Sequence, residues 1–265
     1  MRVVELECRA PRWSPDARWI AFSGRSEGPC GVWIVGVDGS GLQRVTEEGF
    51  EARDPAWSPD GKRLACAAKS DDGWGVATLK VAGGGVARVT EGSNDRSPAW
   101  TPDGKRIAFC RATGANQDIW VVSAGGGEAV PLMVGACADA SPAWSPDGKT
   151  LAFATDREGT WRVYLANADG SEPRRAADVV AEAPAWSPDG RRLAYAGTTD
   201  PRHARGPLPV SICVLDLGTG EARRLAAGAR GHSPDWSPDG KRIVFTRDYR
   251  LYVMDADGAT VTSIE

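Results

Sequence analysis

The chain has 265 residues, 32 of them basic and 35 acidic, for a formal net charge of −3, with 42% hydrophobic and 25% charged residues. This balance argues against a general nucleic-acid binder, which carries a clear basic excess, and no stretch approaches the roughly 20 apolar residues that a membrane helix needs. The unusual counts are 32 Gly, 18 Pro and 11 Trp: the first two imply many turns and short strands, and so many Trp call for a shared explanation.

In chain order, residues 2–7 (Arg-Val-Val-Glu-Leu-Glu) come first. They lack the apolar core of a signal peptide. The chain as given therefore reads as cytoplasmic, or as periplasmic or extracellular where a leader has been removed. The segment around Trp13 then reads APRWSPDAR. Related segments follow at Asp54–Arg63 (DPAWSPDGKR), Ser97–Arg106 (SPAWTPDGKR), Ser141–Thr150 (SPAWSPDGKT), Ala183–Arg192 (APAWSPDGRR) and Ser233–Arg242 (SPDWSPDGKR). The anchoring residues Trp13, Trp57, Trp100, Trp144, Trp186 and Trp236 are spaced by 44, 43, 44, 42 and 50. Six copies fill the chain from end to end, which predicts one domain over residues 1–265.

Each copy reads as four strands, A to D. Strand A is the PAWS segment. The SPDG turn that follows has Pro to preset φ, Asp to bond its own backbone and Gly for positive φ; the first copy alone carries Ala17 in the Gly position. Strand B, as in Lys105 to Phe109, alternates. Strand C holds the strongest β-formers, as in Ile119-Trp120-Val121-Val122. A Gly-rich turn leads to a weaker, basic strand D, as in Gln43-Arg44-Val45-Thr46. Four antiparallel strands per 40–45 residues, repeated radially, predict an all-β, six-bladed propeller. A solenoid would show atypical capping repeats, and the end copies here are nearly as regular as the middle ones. Residues 2–7 and 259–264 both read as strands at the outer edge of blade 6, where they are expected to lie side by side. Arg12 and Asp235, which replace the Ala found before Trp in four copies, are expected to form an ion pair at this join.

The recurring SPAWSPDGKRIAF pattern, with YVMDADG at Tyr252–Gly258, resembles the TolB-type, WD40-like propeller repeat over essentially all 265 residues. The same repeat is found in propellers that gate prolyl-oligopeptidase-type peptidases and in oligogalacturonate lyase. TolB resembles this chain in its propeller only. The resemblance implies a fold and a habit of binding, and no one activity.

Function is expected on the face bearing the B–C loops and the D-to-A connections, where the copies differ. Four residues before each Trp stand Arg9, Arg53, Arg96, Ala140, Glu182 and His232. One residue earlier stand Cys8, Ala52, Asp95, Asp139, Ala181 and Gly231. In a closed ring both sets encircle one mouth of the channel. Arg9, Arg53, Arg96, Asp95, Asp139, Glu182 and His232 are the candidate rim, a largely cationic one suited to an acidic peptide or a carboxylate. The bland alternative is a solvated rim whose charges pair with one another. Asp95, Asp139 and Glu182 also offer hard oxygen ligands for a metal, which the neighbouring arginines oppose, and no cofactor is expected. The fifth B–C loop is longer than the others and carries Arg202, His203 and Arg205; it reads as a partner contact, a lid or a tolerated insertion.

No catalytic constellation stands out. There are only two His, at 203 and 232, too few for the several-His metal site that the resemblance to oligogalacturonate lyase implies. There is no GxSxG nucleophile elbow and no Walker loop. The six Cys, at 8, 30, 66, 110, 137 and 213, form no CxxC pair and read as reduced thiols, mostly buried. The favoured expectation is a monomeric, non-catalytic scaffold that binds a protein or peptide, not nucleic acid or membrane. The alternative is a small-ligand or metal-dependent enzyme, lyase-like or hydrolase-like, that uses the central channel.

Overall fold

A computed structural model describes residues 2–83, 85–92, 94–114, 116–198, 210–225 and 231–265. Their strands form six four-stranded antiparallel sheets, each built from consecutive strands in the order A-B-C-D. The A strands are Glu7–Trp13, Ala52–Trp57, Asp95–Trp100, Asp139–Trp144, Val180–Trp186 and His232–Trp236. Each A strand packs beside those of its two neighbours, and that of blade 1 packs beside that of blade 6. The protein is a closed six-bladed β-propeller. Among the described residues no helix is long and apolar enough to cross a membrane.

Strand B departs from the expected alternation. In every blade it carries four or five consecutive buried residues. A central strand faces a neighbouring blade on each side, so neither face meets water. In blade 3, Ile107, Ala108, Phe109 and Cys110 are all fully buried.

Each A strand bulges once against strand B. The residue before Pro takes a left-handed conformation there: Ala10, Asp54, Ser97, Ser141, Ala183 and Ser233 have φ between 48 and 55°. Such a bulge bends the strand and re-aims its side chains. The A–B turns are nearly uniform. In blade 2, Ser58 Oγ donates to Asp60 Oδ1 at 2.5 Å, and Lys62 N donates to the same carboxylate oxygen at 3.0 Å. Gly61 follows Asp60 with φ 68°. Ala17 adopts the same conformation, with φ 59°, against the steric preference of an L-residue.

Blades are fastened by recurring contacts. The indole N–H of Trp57, Trp100 and Trp186 donates to a carbonyl of the preceding blade, that of Arg12, Ala56 and Ala143, at 3.0–3.1 Å. Backbone stitches also recur: Ala52 N donates to Cys30 O, Ala181 N to Trp161 O and Gly231 N to Val210 O. The join between blades 6 and 1 repeats this pattern. Cys8 N donates to Tyr249 O at 2.7 Å, and the Arg242 guanidinium lies 4.8 Å from the Trp13 ring, as Arg63 lies 4.7 Å from Trp100.

The join differs from expectation in two ways. The N-terminal segment is a 3-10 helix, Val3–Glu5, and does not pair as a strand. Blade 6 already has its own fourth strand, Val261–Ser263, so no edge is vacant. One helical turn instead buries Val3 and Leu6, three residues apart, against Val244, Leu251 and Ile264. Nor is there an ion pair within 4 Å between Arg12 and Asp235. Asp235 Oδ2 accepts the Trp13 backbone N–H at 2.8 Å, and an Arg12 Nη donates to Pro11 O at 2.8 Å. Burial at the channel wall pushes the Asp235 carboxyl up to about 6, and the positive charge of Arg12 only partly offsets this.

Candidate ligand site at the channel mouth

Successive residues of an A strand point to opposite sides. The residue five before each Trp is buried in every blade, whereas the residue four before it reaches the mouth. Of the two rings read from sequence, therefore, only one is a rim. Asp95 and Asp139 do not belong to it: they are 0% and 3% exposed. Arg111 clamps Asp95 in a fork, Nε to Oδ1 at 2.8 Å and an Nη to Oδ2 at 2.9 Å, while Thr90 Oγ1 donates to Oδ2 at 2.6 Å. Arg157 meets Asp139 at 3.3 Å. Burial still pushes the Asp139 carboxyl up, against the pull of Thr155 and Arg157. These two acids are structural anchors held by their own arginines.

The true rim separates into sectors. Arg9, Arg53 and Arg96, from blades 1 to 3, open onto one cavity of about 380 Å³ with Arg25, Cys30 and Trp74. Arg9 also faces a neighbouring cavity of about 470 Å³ that contains His232, Asp248 and Tyr249. Glu182 is exposed on blade 5 and lines neither cavity. Asp95, Asp139 and Glu182 thus do not converge, and no group of three or more metal-ligating side chains is found among the described residues. Arg202, His203 and Arg205 lie outside the described residues.

Two of the three rim arginines are held by stacking. The Arg53 guanidinium lies 4.0 Å from the Trp74 ring centre and that of Arg9 lies 4.6 Å from Tyr249. The Nε atoms of Arg53 and Arg96 are closed off from solvent without a hydrogen-bond acceptor. None of the three arginines forms an ion pair among the described residues. The acids nearby are engaged elsewhere: Glu7 with Arg25 at 3.1 Å, Glu51 with Lys69 at 2.8 Å, and Asp54 Oδ2 with Ser97 N at 3.3 Å. Burial and Asp54 raise the Cys30 thiol pKa, opposed by Arg25, Arg53 and Arg9, which favours the protonated thiol over a nucleophilic thiolate.

Sequence reasoning missed the aromatic members. Trp74 and Tyr249 occupy equivalent places two residues before the first core position of strand C; the same place is filled by Cys30, Gln117, Trp161 and Val210 in the other blades. This third ring was readable by aligning strand C, where Trp74 stands immediately after the Ser70–Gly73 loop. Tyr249 is 51% exposed with φ 60°, beside Asp248 at φ 49°. Two consecutive left-handed non-Gly residues make a two-residue hairpin turn, with Arg247 paired to Arg250.

Inside the mouth, a channel cavity of about 310 Å³ is lined by all six A strands, including Arg12, Asp54, Ser97, Ser141, Ser233 and Asp235.

The TolB β-propeller domain model matches residues 8–114 and 93–265. The chain belongs to the TolB β-propeller family. A structure described as TolB from Agrobacterium tumefaciens is 25% identical, with a TM-score of 0.75 over 88% of this chain and 87% of that one. TolB from Acinetobacter baumannii is 21% identical, with a TM-score of 0.77; the match covers 93% of this chain and only 63% of that one. An oligogalacturonate lyase in complex with manganese shares the fold at 19% identity, with a TM-score of 0.64 over 98% of this chain and 79% of that one. The TolB fold supports a binding scaffold, and its presence in a lyase shows that the ring itself does not decide between binding and catalysis.

Proposed function

We propose that this TolB-family propeller is a non-catalytic scaffold that binds a protein or peptide through the channel mouth and the B–C loop face. The observation that carries the reading is the sector at blades 1 to 3, where three unpaired guanidinium groups face one cavity. An acidic segment would add carboxylates to the three that line the cavity, Glu7, Glu51 and Asp54, none of which is ion-paired to these arginines. Arg forks bind carboxylates in a defined plane, and the Trp74 and Tyr249 rings add amphipathic surface of the kind enriched at interfaces. Capture of partners from a lysate by the wild-type chain and by the Arg9→Ala/Arg53→Ala/Arg96→Ala chain tests this. The triple variant is expected to lose the acidic partner, and an unchanged set of captured proteins would sink the reading.

A second reading rests on the channel. Asp235, with a carboxyl near pH 6, faces the same cavity as Arg12 and three serines. A group titrating there is suited to proton transfer on a small ligand. Saturable binding of a small molecule that is abolished by Asp235→Asn and untouched by the rim substitutions would favour this reading over the first.

A further inference from the structure

Arg9, Arg25, Arg53 and Arg96 line the cavity at blades 1 to 3 together with Glu7, Glu51 and Asp54, four guanidinium groups against three carboxylates, so its lining is net positive. Arg9, Arg53 and Arg96 come from three successive blades and line one concavity, in a chain whose net charge is −3. Each acid of that cavity has a partner of its own: Arg25 for Glu7, Lys69 for Glu51 and the Ser97 N–H for Asp54. With Glu7 and Glu51 paired to Arg25 and Lys69, Asp54 is the one lining carboxylate left to answer Arg9, Arg53 and Arg96; the surplus positive charge is relieved when an anion enters. Stacking on Trp74 fixes the plane of the Arg53 guanidinium, so less freedom is lost on binding.

Three guanidinium groups overmatch a single carboxylate, which brings one charge and two oxygens. A phosphate monoester brings nearly two charges and three strong acceptor oxygens arranged around one centre. A cavity of about 380 Å³ falls at the small end of ligand pockets, enough for a phosphoryl group and what carries it. We propose that Arg9, Arg53 and Arg96 form a receptor for a phosphate monoester. The inference rests on the reading of this rim as a binding surface and sharpens it: the recognised acid is a phosphoryl group, whether carried by a phosphorylated peptide or by a small phosphorylated compound.

The test is calorimetric titration of the whole chain with four probes: a short neutral peptide bearing phosphoserine, the same peptide with Glu at that place, the same with Ser, and inorganic phosphate. The phosphopeptide is expected to bind at least about tenfold more tightly than the Glu peptide, since hydrogen bonds to a doubly charged group are the stronger. Each of Arg9→Ala, Arg53→Ala and Arg96→Ala should weaken it by about tenfold. Arg53→Lys, which keeps the charge, should lose less than Arg53→Ala, and circular dichroism of each variant establishes that the ring is intact. Phosphate as tight as the phosphopeptide supports the site with a small-molecule ligand; a tighter phosphopeptide supports it with a peptide ligand. Equal binding of the Glu and phosphoserine peptides overturns the phosphoryl assignment and leaves the acidic-segment scaffold standing. If neither the phosphopeptide nor inorganic phosphate binds, the phosphoryl receptor is overturned, while the lysate capture separately decides the scaffold.

Discussion

Two sets of arginines stand within a blade of each other and meet opposite ends. Arg111 and Arg157 reach inward to Asp95 and Asp139, which are buried. Arg9, Arg53 and Arg96 reach the channel mouth and meet rings or nothing. One residue of strand parity separates the two environments, as Asp95 and Arg96 show on a single strand, the first buried and the second at the mouth. An arginine whose partner is shut away from water belongs to the architecture; one left open at a mouth is available to a ligand.

That contrast can be broken by experiment. The largest effect is expected from Asp95→Ala. It strands the Arg111 guanidinium, which is 16% exposed at its side chain, and losing one member of a buried pair costs about 3–5 kcal/mol. Urea unfolding measures it, and a loss below about 1 kcal/mol would mean that Asp95 is no anchor. Asp235 is the intermediate case, a buried-side acid with no guanidinium within 4 Å. Its carboxyl is raised to about 6 from 3.8, so the folded chain holds a proton that the unfolded chain releases. Its favourable contribution is present below about pH 4 and is lost as pH rises through 6. Asp235→Asn should therefore stabilise the ring at pH 7.5 by about 1–2 kcal/mol, discounted for its partial exposure to the channel. The gain should shrink to nothing near pH 4, and a gain that does not vary with pH would contradict the titration.

Smaller effects sharpen the same comparison. Ala17→Gly on the opposite face, away from the channel mouth, should add about 0.5–1 kcal/mol, because Ala17 holds φ 59° where the other five turns have Gly. Thermal unfolding checks this, and no change in phosphopeptide binding is expected. Arg53→Ala should cost the least stability, about 0.5–1 kcal/mol for the lost stacking on Trp74. If Arg53→Ala unfolds the chain as Asp95→Ala does, the rim arginines are structural after all.

Much of this architecture could be read directly. The Trp spacing and SPDG turns marked six blades, and the regular end copies marked a closed ring. Ala17 was visible as the exception in its turn. Reading the rim went half way. The position four before each Trp does reach the mouth, but Asp95 and Asp139 were grouped with it because periodicity alone does not say which of two adjacent positions faces inward. Trp74 and Tyr249 went unseen because they join the rim through a different strand. The N-terminal strand was misjudged for a related reason: its apolar residues, Val3 and Leu6, satisfy a helical turn as well as an edge strand, and only the filled edge of blade 6 excludes the strand.

By itself, the sequence determined the number of blades, their strand order and the ring they close, because these follow from local turn chemistry repeated six times and from tryptophans that need burial. Tertiary structure alone decided which charges are spent and which are free. That outcome depends on the bulge that re-aims each inner strand and on contacts between residues more than a dozen positions apart, as between Asp95 and Arg111 or Arg53 and Trp74. Burial makes the first contact an anchor, and exposure at the mouth leaves the second available for binding.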